Sequence, residues 1–187
     1  MHISPEERQA LLRLARSAIE KRLGLCATLE SPAFESDLFR KPLGCFVTLE
    51  AAGQLRGCIG NIEPHHSLLE AVRENAVNAA FHDPRFPSMT REEWPEVSIE
   101  ISILTEPKPL QDAVSAAERL DKLIPGVHGV ILTRGYHRAT FLPQVWSQLS
   151  DKRMFLEHLC RKAGMEGRCW EDPQTRIDVY EAEHFRE

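Results

Sequence analysis

The octapeptide VSIEISIL, residues 97–104, alternates so regularly that it limits what the chain can be. In an extended conformation Val97, Ile99, Ile101 and Ile103 fall on one face and Ser98, Glu100 and Ser102 on the other. A strand of this kind buries one side and wets the other, as in an antiparallel or mixed sheet with helices packed on its apolar side. Pro107 and Pro109 end it.

Two more segments read as hairpins. GCFVTLEAAGQLRGCIG, residues 44–60, gives two short apolar strands that turn at residues 51–54, with Gly53 as the turn residue. GVILTRGYHRATFL, residues 129–142, turns at 134–138, and PQVW leads out of it. Four stretches read as helices. The first is capped by Ser4, has Pro5, Glu6 and Glu7 in its first turn, carries Leu11, Leu12, Leu14, Ala15, Ala18, Ile19 and Leu23 at helical spacing, and stops at Gly24. The second runs from the Ser67 cap to Phe81, where the prolines of HDPRFPSM end it. The third is LQDAVSAAERLDKL, residues 110–123, and the fourth is LSDKRMFLEHLCRKAGM, residues 149–165, with Met154, Phe155, Leu156, Leu159 and Cys160 facing the core. A loop around Ser31 and Pro32 follows the first helix, and RIDVYEAEHF, residues 176–185, reads as one final strand. The order of elements predicts an α+β protein, an antiparallel or mixed sheet flanked by helices, occupying residues 1–187 as a single domain.

At 187 residues the chain is long enough to bury its own core, and 42% hydrophobic and 27% charged residues are the proportions of an ordinary globular protein. A net charge of −5 weighs against binding nucleic acid through a broad basic face, leaving only a local groove in which arginines such as Arg134 and Arg138 would have to form a continuous strip. No stretch approaches membrane-spanning length, and the N-terminal segment is charged throughout, so a cytoplasmic protein without a membrane partner is expected. Five widely spaced cysteines without a C-x-x-C pair argue against a disulfide framework and a structural zinc site, and most read as packing residues.

The segment LRGCIG, residues 55–60, carries the most chemistry. Unbroken alternation would put Arg56 and Cys58 on one face and Leu55 and Ile59 on the other, so that the guanidinium favours the thiolate and Cys58 becomes a nucleophile. Gly57 and Gly60 would let a ligand or another stretch of backbone come close. The structural alternative makes Gly57 the mark of a β-bulge, Cys58 a core filler and Arg56 a solvated side chain. In HDPRF, Asp83 would cap or pair with Arg85, whose planar fork suits a carboxylate or phosphate, and the alternative is a rigid turn held by a local ion pair. Glu100 gains interest if its face lines a cleft with Arg56 and Cys58. His65 and His66 are the nearest candidate bases. The histidines lack metal-ligand spacing, and no phosphate-loop, dinucleotide or nucleophile-elbow motif is present, so neither a metal nor a cofactor is expected.

Together, GCFVTLEAAGQLRGCIG, DPRFPSM, VSIEISILTEPKPL, GVHGVILTRG, FLPQVW, FLEHLCRKAGM and the closing EAEHFRE resemble the AMMECR domain family, in order, from about Leu11 to the C-terminus. LRGCIG is that family's signature. The resemblance implies an α+β architecture with a larger part and a smaller subdomain facing it across a cleft. It also implies a place in the AmmeMemoRadiSam system, with Memo-like and radical SAM proteins as partners, and a nucleotide, nucleic acid or small acid as ligand. On this reading Arg56, Gly57, Gly60, Asp83, Arg85 and Glu100 bind the ligand and Cys58 is catalytic. The alternative is a noncatalytic adaptor in which LRGCIG is structural.

Overall fold

A computed structural model describes residues 3–25, 36–111, 113 and 115–187. The loop expected around Ser31 and Pro32, and Cys26, lie outside the described residues. The chain divides into two compact units: residues 1–104 with 183–187, and residues 105–182.

The first unit begins with helix α1, Pro5–Leu23, which starts in a reciprocal capping box between Ser4 and Glu7 and ends at Gly24 in the left-handed conformation. Strands β1, Cys45–Ala51, and β2, Gln54–Asn61, form the expected hairpin, with Ala52 at φ 50° and Gly53 at φ 72° in the turn. Helix α2, Leu68–Phe81, opens on a second capping box, Ser67 with Glu70. Strand β3 is Val97–Leu104 and pairs antiparallel with β1. The sheet order is β2-β1-β3-β8, where β8 is the C-terminal strand Ala182–Arg186. Val47, Leu49, Ile99 and Ile101 point from one face of this sheet into a core completed by Leu11, Ala15 and Ile19 of α1 and Val72, Ala76 and Ala79 of α2. The opposite face carries Thr48, Cys58 and Glu100.

The second unit has strands β4, Lys108–Pro109, β5, Gly129–Arg134, β6, His137–Phe141, and β7, Arg176–Tyr180, in the order β4-β7-β5-β6. Helices α3, Ala116–Lys122, and α4, Lys152–Lys162, accompany this sheet, and its core gathers Val130, Leu132, Trp146, Phe155, Leu159 and Trp170. Trp146 and Phe155 stack with ring centroids 3.6 Å apart.

Four expectations are corrected here. Residues 110–123 are not one helix: Pro109 pairs opposite Asp178 and the Leu110 N–H donates to Ile177 O, so the chain is still held along β7 at Leu110, and α3 starts only at Ala116, after the capping box of Ser115 with Glu118. Met154 is 50% exposed, because Phe155, Leu156, Leu159 and Cys160 already fill the buried stripe of α4 and Met154 lies beside it. RIDVYEAEHF is two strands, not one. The chain breaks between Tyr180 and Ala182, where Glu181 exchanges hydrogen bonds with Thr105, and β7 and β8 join different sheets. Finally, Cys160 and Cys169 form a disulfide, with Cα atoms 5.9 Å apart. The reversal at Gly164, φ 75°, folds the segment after α4 back against the helix, a meeting that no cysteine spacing announces.

Candidate functional site

The residues singled out in LRGCIG and HDPRF, together with Glu100, all belong to the first unit. Their arrangement starts from a flaw in the β1–β2 ladder. Leu49 pairs with Gly57 but Glu50 pairs with Leu55, so Arg56 is an extra residue, a β-bulge. The bulge breaks the alternation expected through the motif. Leu55 stands opposite Glu50 on the same face as Cys58, and not with Ile59, which is opposite the core residue Val47. Arg56 is 9% exposed and its guanidinium turns to a later loop. Nε and Nη2 donate to the two carboxylate oxygens of Glu93 at 3.2 and 3.1 Å, and Nη2 also donates to Pro87 O at 2.9 Å. This pairing, with the Thr90 N–H, holds the Glu93 carboxyl below its ordinary pKa. Arg56 Nη1 is buried without a hydrogen-bond partner among the described residues.

Gly57 faces α2. A Cβ there would lie 2.2 Å from Ala79 O, so the helix backbone fills the space that the missing side chain leaves. Gly60 faces the other way, and a Cβ would sit 2.4 Å from the ring of Phe46, its cross-strand partner.

Asp83 and Arg85 act as a substitute for a neighbouring strand. β2 is an edge of its sheet, and the edge-facing peptide groups of Cys58 would otherwise be unpaired. Asp83 Oδ2 accepts the Cys58 N–H at 2.9 Å, and Arg85 Nη2 donates to Cys58 O at 3.2 Å. The two side chains are locked together by Arg85 Nε to Asp83 Oδ1, 2.9 Å, and Nη2 to Oδ2, 2.6 Å. Asp83 is 4% exposed, yet hydrogen bonds from the Arg85 guanidinium, and then from the N–H groups of Cys58 and Arg85, hold its carboxyl well below the usual carboxylate range against the effect of burial. Phe86 completes the link, with the guanidinium carbons of Arg56 and Arg85 5.9 and 5.4 Å from its ring centre. LRGCIG and DPRF are thus two halves of one construction.

What this leaves unexplained is the thiol. Cys58 is half-buried on the face away from the helices, and the Thr48 hydroxyl lies 3.3 Å from its sulfur. Thr48 pairs with Cys58 on one side and Glu100 on the other, so the three form a row across β2, β1 and β3. The register therefore brings Glu100 to the face of Cys58, as the sequence expectation required, whereas Arg56 has left for Glu93. His65 and His66 are exposed in the loop before α2. Among the described residues no group of three or more His, Cys, Asp or Glu side chains is placed to hold a metal ion. Arg134 is engaged with Asp172 at 2.8 Å. Thr48, Phe86 and Glu93 were not foreseen as members of the site. Thr48 was recoverable from the hairpin register, whereas Glu93 meets Arg56 across 37 residues without any local signal.

These features define a class: an α+β protein built on two antiparallel four-stranded sheets, with one half-buried cysteine on the face of the first that is turned away from α1 and α2. The chain belongs to the AMMECR1 family, whose model matches residues 12–185. A protein of Methanothermobacter thermautotrophicus is 41% identical over 186 residues, covering 99% of this chain and 96% of its own. A protein of Methanopyrus kandleri is 40% identical over 190 residues, covering 97% and 89%. The crystal structure of an uncharacterized protein from Pyrococcus horikoshii matches at a TM-score of 0.88 and 36% identity, covering 99% of this chain and 93% of that one. Among the described residues no helix is long and apolar enough to cross a membrane.

Proposed function

We propose that this protein takes a small anionic ligand, a nucleotide or small acid, beside Cys58 on the face of its first sheet turned away from α1 and α2, with the Cys58 thiol as the group that contacts or attacks it. The observation that carries this reading is the treatment of Cys58. Both edge-facing peptide groups are pinned by Asp83 and Arg85, while the half-buried thiol stands on the face away from α1 and α2 with a threonine hydroxyl beside it. A thiol on a strand whose peptide groups are held by an ion pair with a buried carboxylate is the arrangement a binding or catalytic position requires. Arg85, whose side chain is 53% exposed, supplies the positive charge for the anion, and Glu100, two strands from Cys58 across Thr48, is the carboxylate on the same face. Arg56, Gly57 and Asp83 serve this site by holding it in place. Cytoplasmic placement rests on the charged N-terminal segment and the want of a membrane-length apolar stretch, and work alongside Memo-like and radical SAM proteins in a modification pathway rests on the family resemblance alone.

A second reading, a noncatalytic adaptor, is favoured by how fully the bulge, the edge cap and the Gly57 contact account for LRGCIG as backbone architecture. Alkylation of the native protein, mapped by mass, separates the two. Cys58 is expected to react well before Cys45, which is fully buried with its thiol pushed up to about 11 by desolvation. Thr48→Val is expected to slow the reaction several-fold while leaving the fold intact. A Cys58 that stays inert until the chain unfolds removes the thiol from the function and leaves the adaptor.

A further inference from the structure

Arg119, in the second unit, takes no part in the site described above. It stands on α3, is 6% exposed, and gathers peptide oxygens: Nε donates to Ala113 O at 3.4 Å, and Nη1 to Trp170 O at 2.5 Å and Asp172 O at 3.0 Å. Nη2 bonds to none of the described residues. The side chain lines an open pocket of about 200 Å³ together with Pro109, Leu110, Arg176 and Ile177. No carboxylate among the described residues is in ion-pair contact with Arg119. The Asp172 carboxylate, which acts on it only through space, is bonded to Arg134 and to the Gln174 N–H.

A guanidinium keeps its proton in a protein, so the charge persists although burial works against it. Peptide dipoles offset part of the cost of burying it but do not neutralise it. Arg176 adds a second guanidinium to the lining; its side chain is largely exposed and its Nε is bonded to Asp178 Oδ1 at 2.9 Å.

We propose that this pocket binds a small oxyanion, the carboxylate or phosphate group of a metabolite, on Nη2 of Arg119, with Arg176 at the rim. A guanidinium held rigid by its other two nitrogens, with the N–H groups of Nη2 unbonded among the described residues, is a donor fit for such an oxyanion, and Pro109, Leu110 and Ile177 give a short alkyl chain an apolar wall. This site is separate from the reading at Cys58 and stands or falls without it.

The test uses the full chain with ¹⁵N-labelled arginine, following side-chain N–H signals by NMR during titration with sodium phosphate and, separately, sodium butyrate, with chloride holding the ionic strength constant. The Arg119 signal is expected to shift saturably with at least one of them. Saturation with butyrate alone assigns the site to carboxylates, and with phosphate alone to phosphates. Arg119→Lys is expected to abolish saturation of the Arg176 signal, the second guanidinium of the lining, and Arg176→Gln to weaken affinity several-fold at the Arg119 signal. If the lysine variant does not fold, because three peptide oxygens lose their donor, the exposed Arg176→Gln carries the comparison. A signal that does not move, or that drifts linearly with every other arginine, overturns the proposal. An Arg176→Gln titration identical to wild type overturns the second guanidinium's part.

Discussion

Of the two glycines in LRGCIG, Gly57 has the closer neighbour, and its substitution has a definite expected outcome. The Cβ of Gly57→Ala would meet Ala79 O at 2.2 Å, and neither a strand backbone nor a helix carbonyl can swing aside as a side chain does. The variant is expected to lose about 3 kcal/mol in urea denaturation, at the upper end of what overpacking costs. An unchanged midpoint would mean that α2 yields at Ala79 and that the glycine is there for something else. The glycine itself was legible as a demand for close approach, but the sequence could not say whether ligand or backbone would come close. That choice is made by the carbonyl of Ala79, more than twenty residues further along the chain, and no local pattern encodes where a helix carbonyl will land.

At the scale of elements, the edge of β2 is protected by a carboxylate, so the protection depends on pH. The Asp83 carboxyl is held below its ordinary range in the folded protein, while in the unfolded chain it titrates near about 3.9. A depressed folded pKa contributes stability that is present above the unfolded value and is lost as pH falls through the folded one. Asp83→Asn is therefore expected to cost about 2 kcal/mol near neutrality, the loss of a charged hydrogen-bond acceptor, and to unfold with a shallower dependence than wild type below about pH 4. Parallel curves from pH 6 to pH 2 would deny Asp83 this role. The elements themselves were largely readable, since capping boxes at Ser4 and Ser67, a strict alternation at 97–104 and a Gly53 turn are local signals. Apart from Met154, which lies beside the buried stripe of its own helix, the failures have one cause: each was decided by a partner elsewhere in the chain. Ile177 kept Leu110 extended, Thr105 broke the final strand at Glu181, Glu93 drew Arg56 out of the ladder, and Cys169 found Cys160 across a chain reversal.

At the scale of the whole molecule, the chain builds the first unit, then the second, then returns to complete the first with residues 183–187. That return brings Phe185 into the first core and pairs Glu183 with Arg8 and Glu187 with Arg16. The second unit is closed instead by the Cys160–Cys169 bond, which ties the end of α4 to the segment carrying Trp170. Its loop is short, and the chain-entropy estimate for such a link is about 2–3 kcal/mol. The three tryptophans are divided in the same way, Trp94 in the first core and Trp146 and Trp170 in the second. Chains labelled with 5-fluorotryptophan therefore report both units in one urea titration followed by ¹⁹F NMR. Deleting residues 183–187 is expected to lower the midpoint at Trp94, since burial of Phe185 alone is worth about 2 kcal/mol, and to leave Trp146 and Trp170 where they were. Cys160→Ser is expected to do the reverse. Midpoints that move together in both variants would show that the two cores unfold as one cooperative body and that neither closure is local.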